Sequence, residues 1–261
     1  MKIALVSLNQ IWEDKDSNWK CCEEYIDNAC QNNVDLLIFP EMTLTGFSLN
    51  IEKNSEDRGD SNTITRFKKK SKESNMAIIF GMLIKDGEFF YNKSFFISDN
   101  GSVIGEYAKI HTFSFAGEDA LVNSGSELVV VPYKGLNIGM SICYDLRFPE
   151  LFSALGGKSD LIVNIANWPN KRFDHWVALL KSRAIENQIY IVGVNRTGVD
   201  GNHLQYSESS LIHDANGRSI TAQVVGDNIK IYQIDKKNQE EFRKGFLTIK
   251  DRRVELYKDI L

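Results

Sequence analysis

The sequence predicts an α/β fold of two mixed β-sheets with helices on their outer faces. Three observations carry that prediction: short continuously apolar runs, stretches with helical spacing between them, and two hairpin patterns that interrupt the alternation. A chain of 261 residues can bury a sizeable core, and folds of this class reach that length as one domain, so residues 1–261 are expected to form a single domain.

Lys2 to Asn9 reads as a buried strand, Ser17 to Gln31 as a helix with Ser17 as its N-cap, and Asp35 to Phe39 as a second buried strand, a β-α-β opening. Ser61 to Ser74 reads as an exposed helix with the Lys68-Lys69-Lys70 run on its solvated face, and Met76 to Gly81 as another strand. From Phe89 to Tyr107 two apolar stretches flank Asp99-Asn100-Gly101, a hairpin pattern, and Leu128 to Pro132 with Leu136 to Ser141 form a second one around Tyr133-Lys134-Gly135. A helix is expected to start near Pro149, since proline is tolerated in a first turn. Leu161 to Ala166 is the next strand. Arg172 to Gln188 is helical, with Trp176, Leu179, Leu180 and Ile185 at helical spacing, and Ile189 to Val194 is again a strand. Ser210 to His213 and Ile229 to Ile234 complete the sheets.

With 43% hydrophobic and 25% charged residues the composition is that of an ordinary globular domain, and a net charge of -4 offers no basic field to nucleic acid. A small-molecule partner is favoured. The apolar stretch at Met1 to Ser7 is too short for a signal peptide and no segment approaches a membrane span, so a cytoplasmic location is expected. Cys21, Cys22 and Cys30 cluster in one predicted helix and read as reduced packing residues, with no Cys-x-x-Cys pair to hold zinc. His111, His175, His203 and His213 are dispersed, and neither a Gly-x-Ser-x-Gly elbow nor a phosphate-cradling glycine loop is present. Metal and nucleotide cofactors are therefore not expected.

The chemistry concentrates at three strand ends. Cys143 closes the apolar run Leu136 to Ile142 and is followed at once by Tyr144-Asp145-Leu146-Arg147-Phe148-Pro149, a strand-to-helix junction at which N–H groups and positive helix-terminus potential are expected to lower a thiol's pKa. Glu41 follows Asp35-Leu36-Leu37-Ile38-Phe39-Pro40, and Lys109 follows Gly105-Glu106-Tyr107-Ala108. A thiol, a carboxylate and an ammonium at strand ends can converge in the crevice where open α/β folds keep their ligands.

The segments Phe39-Pro40-Glu41-Met42, Tyr107-Ala108-Lys109-Ile110-His111 and Ile142 to Pro149 resemble, in order and with comparable separations, the three catalytic blocks of the nitrilase superfamily of carbon–nitrogen hydrolases. Similarity continues through Asn167-Trp168-Pro169 and Ser182 to Gln188. The resemblance implies a four-layer α-β-β-α sandwich, commonly paired into a homodimer or higher homo-oligomer. It also implies a Glu41, Lys109, Cys143 triad that hydrolyses a small amide with water and no cofactor.

In that chemistry Cys143 attacks the carbonyl to give a thioester and release ammonia, and Glu41 moves the proton and then activates water. Lys109 with the Tyr144 N–H holds the oxyanion. Glu118 corresponds to a second glutamate expected to position Lys109 and substrate. Within the superfamily the chain resembles the bacterial ω-amidases, which act on 2-oxoglutaramate or 2-oxosuccinamate. Phe113, Phe115 and Trp168 are candidate pocket walls, Tyr144 and Asn167 candidate substrate contacts, and Arg172 a candidate for the substrate carboxylate. Arg147 and Arg183 are expected to pair structurally with acids such as Asp145 and Glu186. Another superfamily activity (aliphatic amidase, N-carbamoyl amidohydrolase or nitrilase) shares the triad, and a non-catalytic binding protein of this fold is the alternative from a different class.

Overall fold

The computed structural model describes residues 1–260. It opens with the expected β-α-β unit: β1 (Lys2–Val6), α1 (Lys15–Gln31) and β2 (Leu36–Ile38). α1 starts before Ser17 because Asp14 is its cap, its carboxylate accepting the Ser17 N–H at 3.0 Å. One helical turn, α2 (Ile51–Asn54), and a two-residue strand, β3 (Glu56–Asp57), lead to α3 (Asn62–Ser74), capped by Ser61. β4 (Ala77–Asp86), β5 (Phe89–Ile97) and β6 (Val103–Ala108) then form an antiparallel meander.

The second hairpin is β7 (Val130–Tyr133) with β8 (Leu136–Ile142), followed by α4 (Pro149–Gly156), β9 (Leu161–Ala166), α5 (Phe173–Asn187) and β10 (Tyr190–Asn195). Ile185, expected on the buried stripe of α5, is 48% exposed; that stripe runs instead through Trp176, Leu180, Ala184 and Asn187, spaced four, four and three apart. The sequence pattern did not announce the small hairpin β11 (Gly198–Val199) and β12 (Gln205–Tyr206), whose strands are too short to alternate. After β13 (Leu211–His213), β14 (Gln223–Gly226) and β15 (Ile229–Gln233) come two helices without a clear apolar stripe, α6 (Lys236–Gly245) and α7 (Val254–Ile260). In α6 only Gln239 is buried, so hydrophobic spacing carried no signal.

One sheet has the order β14-β15-β1-β2-β4-β5-β6, with β3 paired to β4, and the other β13-β10-β9-β8-β7. Both are mixed: β1, β2 and β4 are parallel in the first, β8, β9 and β10 in the second, with antiparallel neighbours outside. The sheets face each other across a core to which Leu5, Ile38 and Phe96 contribute from one side and Met140, Val163 and Val192 from the other. The outer face of the first sheet packs on Trp19 and Ile26 of α1 and Phe67 of α3, and that of the second on Phe152 of α4 and Trp176 of α5. This is the four-layer α-β-β-α sandwich. All four cysteines are free, with Cys22 buried among α1 packing residues and Cys30 exposed. No helix among the described residues is long and apolar enough to cross a membrane.

Candidate active site

Glu41 stands in a tight turn just beyond β2, where Met42 adopts φ +45° and both residues are fully buried. The Gln10 side-chain amide, itself buried, donates to the main-chain carbonyls of Glu41, Met42 and Thr43 at 2.9, 2.9 and 3.2 Å and so holds the turn in shape. Gly81 on β4 lets the turn close. A Cβ there would lie 2.9 Å from the Met42 nitrogen and 2.9 Å from Ile165 Cδ1, so only glycine fits.

Lys109 immediately follows β6 and is buried between two carboxylates. Its Nζ donates to Glu41 Oε1 at 3.1 Å and to Glu118 Oε2 at 2.8 Å, with all three side chains inaccessible to solvent. Burial by itself works against a charged amine, but Glu41 and Glu118 outweigh it and raise the Lys109 pKa above the usual lysine range. Lys109 therefore keeps its charge throughout the physiological range. Glu118 lies in a 3₁₀ turn (Glu118–Ala120), and its Oε2 also accepts the Phe113 N–H at 2.6 Å, which ties the loop over the site to the carboxylate.

Cys143 immediately follows β8, at the start of a 3₁₀ turn (Cys143–Arg147), with φ +46°. That left-handed conformation costs a side-chain-bearing residue roughly 1–2 kcal/mol and is held by its neighbours. The brace is Asp145. Its Oδ2 accepts the Ile142 N–H at 2.9 Å and the Tyr107 hydroxyl at 2.7 Å, while its Oδ1 accepts the His111 N–H at 3.0 Å and lies 2.9 Å from His111 Nδ1. One buried carboxylate thus clamps the cysteine turn to the segment that carries Lys109.

The sulfur and Glu41 meet at a common residue, Asn167. Cys143 Sγ lies 3.9 Å from the Asn167 carbonyl oxygen, and the Asn167 N–H donates to Glu41 Oε2 at 2.9 Å. The Asn167 side-chain amide donates to the Glu41 carbonyl at 2.7 Å. The expected lowering of the thiol pKa is not found. Burial pushes the Cys143 thiol well up, the Glu41 charge adds to this, and the Lys109 ammonium opposes both without prevailing.

The structure brings Glu41, Lys109, Glu118 and Cys143 into one cluster and opens a pocket of about 100 Å³ above Lys109 and Cys143. Tyr144, Phe113, Asn167, Trp168 and Arg172 all line it. Phe115 does not: it is 87% exposed, because the turn after Phe113 points its ring to solvent. Arg183 pairs with Glu186 at 3.1 Å as expected, but Arg147 does not pair with Asp145. Residues two apart on a helical turn point away from each other, so Arg147 reaches into the pocket instead and lies over the Trp168 ring at 4.8 Å. The Arg172 guanidinium lies over Phe113 at 5.5 Å. Among the described residues, neither arginine has a carboxylate within ion-pair distance.

Sequence reasoning also missed Asn92, fully buried on β5, whose amide donates to Glu41 Oε1 at 2.8 Å and Glu118 Oε1 at 2.9 Å. The signal was there: Asn92, Ser94 and Phe96 alternate on one face of β5, Phe96 points into the inter-sheet core, and the Asn92 carbonyl accepts the Lys109 N–H at 2.9 Å. The β11–β12 hairpin, unannounced by the sequence, supplies another wall through Asp200, Asn202, Leu204 and Tyr206. No group of three or more His, Cys, Asp or Glu side chains among the described residues is arranged to hold a metal ion.

The sequence profile of the carbon–nitrogen hydrolase family matches residues 2–244. Over 217 residues the chain is 33% identical to an omega-amidase of Yersinia enterocolitica, covering 83% of this chain and 82% of the other. It is 31% identical over 243 residues to the 2-oxoglutaramate amidase of Bacillus subtilis, covering 92% of this chain and 93% of the relative. The crystal structure of a CN-hydrolase superfamily protein from Xanthomonas campestris, with an arsenic adduct in its active site, superposes with a TM-score of 0.89 at 29% identity over 97% of each chain. Fold, matched residues and relatives agree: this chain belongs to the carbon–nitrogen hydrolase family of the nitrilase superfamily, enzymes that hydrolyse non-peptide carbon–nitrogen bonds.

Proposed function

We propose that this hydrolase is an ω-amidase that converts the monoamide of a short 2-oxo dicarboxylic acid, such as 2-oxoglutaramate, to the dicarboxylate and ammonia through a thioester on Cys143. The observation that carries the reading is the pair of arginines, Arg147 and Arg172, that line the same small pocket as Cys143 and have no carboxylate of their own. Arg147 reaches His175 Nδ1 at 3.3 Å, but a half-buried guanidinium without a carboxylate partner still calls for an anion, and a monoamide with a carboxylate at its far end supplies one. The relatives named omega-amidase and 2-oxoglutaramate amidase support the same substrate class.

In this mechanism the amide carbonyl lies above Cys143 with its oxygen toward Lys109 Nζ and the Tyr144 N–H, one of the first N–H groups of the 3₁₀ turn, which lack intrahelical partners. Glu41 takes the thiol proton as sulfur attacks, which the raised thiol pKa requires. The carbon–nitrogen bond breaks as Glu41 returns that proton to the leaving nitrogen, and ammonia departs. Water then attacks the thioester as Glu41 accepts its proton, and the carbon–sulfur bond breaks as Glu41 passes that proton to the departing sulfur, which releases the acid, ionised in solution to the carboxylate, and restores both the thiol and the base. Glu118 keeps Lys109 aimed at the oxyanion through the 2.8 Å bond.

The test is an ammonia-release screen of 2-oxoglutaramate, 2-oxosuccinamate, glutamine, asparagine, neutral aliphatic amides, carbamoyl compounds and nitriles. Highest kcat/KM for the 2-oxo acid monoamides is expected. A preference for a neutral amide or a nitrile overturns the substrate assignment.

A further inference from the structure

Two buried carboxylates that share one lysine carry one negative charge more than the cation cancels, and like-charged groups so placed tend to capture a proton between them. Glu41 can serve as a base only if that does not happen. The groups that face Glu41 are Lys109 at the end of β6, Glu118 in its 3₁₀ turn, Cys143 at the end of β8, the Asn167 N–H beyond β9 and the Asn92 amide on β5. Of these, Asn92 is the one neutral side chain that touches both carboxylates: its Nδ2 lies 2.8 Å from Glu41 Oε1 and 2.9 Å from Glu118 Oε1. Its two N–H bonds close a ring in which Lys109 forms the other bridge, at 3.1 and 2.8 Å.

From this geometry we infer that Asn92 is a positioning residue that keeps the Glu41–Glu118 pair ionised and apart, so that Glu41 is free to accept the Cys143 proton. An amide is suited to the task because it offers two donors in one plane and no proton to give up. Acceptors on both sides fix which end of the amide faces the carboxylates.

The inference rests on reading Glu41 as the base of the proposed amidase, and one arm of its test needs no substrate. N92L removes both donors while keeping the branching of the side chain, though its methyl groups are bulkier, and N92D keeps both shape and size while adding an acid. Both are expected to fold with wild-type circular dichroism, to lose about 10- to 100-fold in kcat, the scale of lost hydrogen bonds to charged groups, and to keep KM within about threefold. The acidic limb of kcat/KM against pH should move to higher pH, since without the bridging donors the two like-charged carboxylates share a proton more readily. The substrate-free arm is infrared spectroscopy: a protonated-carboxyl band, absent from wild type at neutral pH, appears in N92L and is lost in E41Q/N92L. If N92L does not fold, N92D carries the pH profile. A folded variant whose pH profile and infrared spectrum match wild type, whatever its stability, overturns the inference. An infrared change without amide hydrolysis by any variant or by wild type would uphold it and refute the proposed activity instead.

Discussion

Asp145→Asn is the substitution whose effect the structure specifies most closely. The Asp145 carboxylate takes four hydrogen bonds, and each of its oxygens receives one main-chain N–H: Ile142 on Oδ2 and His111 on Oδ1. Asparagine has one acceptor oxygen and one NH₂. Tyr107 Oη and His111 Nδ1 can reverse their roles and accept, but a main-chain N–H cannot. Whichever way the new amide turns, one buried N–H is left facing another donor. Losing a charge-assisted bond of this kind costs about 1.5–3 kcal/mol, measurable as a shift in the denaturant midpoint at unchanged slope. Ile142 is joined directly to Cys143, whose φ of +46° persists only while its surroundings enforce it. The sulfur should therefore drift, and kcat for ammonia release should fall on the order of 10²-fold, the cost of about 1 Å of misplacement. A variant less than about 0.5 kcal/mol weaker, the scale of a surface change, with wild-type kcat, would refute the clamp.

Replacing Arg147 or Arg172 by leucine should raise KM for 2-oxoglutaramate about 10- to 100-fold, as expected when a hydrogen bond to a charged group is lost, while turnover of a neutral amide such as propionamide stays within about threefold. Steady-state kinetics on both substrates separates this from general damage. Gly81→Ala forces a methyl group against the Met42 nitrogen and Ile165. It should cost about 1–3 kcal/mol by overpacking and lower kcat through displacement of Glu41. Away from the site, Glu56 is held at a pKa of about 2: burial works upward, but hydrogen bonds from Lys15, Thr63 and Ser61 prevail. Its folded pKa lies below its unfolded one, so its stabilisation is present above about pH 4.3 and is lost as pH falls toward 2. Glu56→Gln should therefore be weaker at pH 7 by about 1–2 kcal/mol, allowing for solvent screening, and should lose less stability than wild type between pH 4.3 and 2 in acid titrations of unfolding.

Much of the architecture was legible because buried strands in a sandwich are almost continuously apolar: Leu36–Ile38, Ala77–Leu83 and Leu161–Ala166, the last interrupted only by Asn164, stand out in a chain punctuated by polar helices. What failed to show was polar. α6 buries a single glutamine, and β11 and β12 have two residues each, so periodicity had nothing to register. Glu41, Lys109 and Cys143 stood out by type and by position at strand ends, whereas Glu118, in a 3₁₀ turn, was reached only through the family resemblance. Asn92 did not stand out, because a neutral amide inside an aromatic strand reads as an irregularity until its two carboxylate partners are in place. Arg147 was misassigned through nearness in sequence to Asp145, where the direction of side chains on a helical turn should have decided. The direction of the thiol pKa differs from the expectation for another reason: charge partners can be read from the sequence, whereas the desolvation that raises Cys143 cannot.

In the proposed cycle the Cys143 sulfur forms the covalent bond to the acyl group. Rapid-quench intact-mass spectrometry of the enzyme turning over 2-oxoglutaramate, alongside C143A, examines that step itself. The prediction is a transient mass increase equal to the acyl group, mapped to the Cys143 peptide, with neither adduct nor ammonia release in C143A. Ammonia release by C143A at the wild-type rate, or an acyl adduct on any other residue, would contradict it.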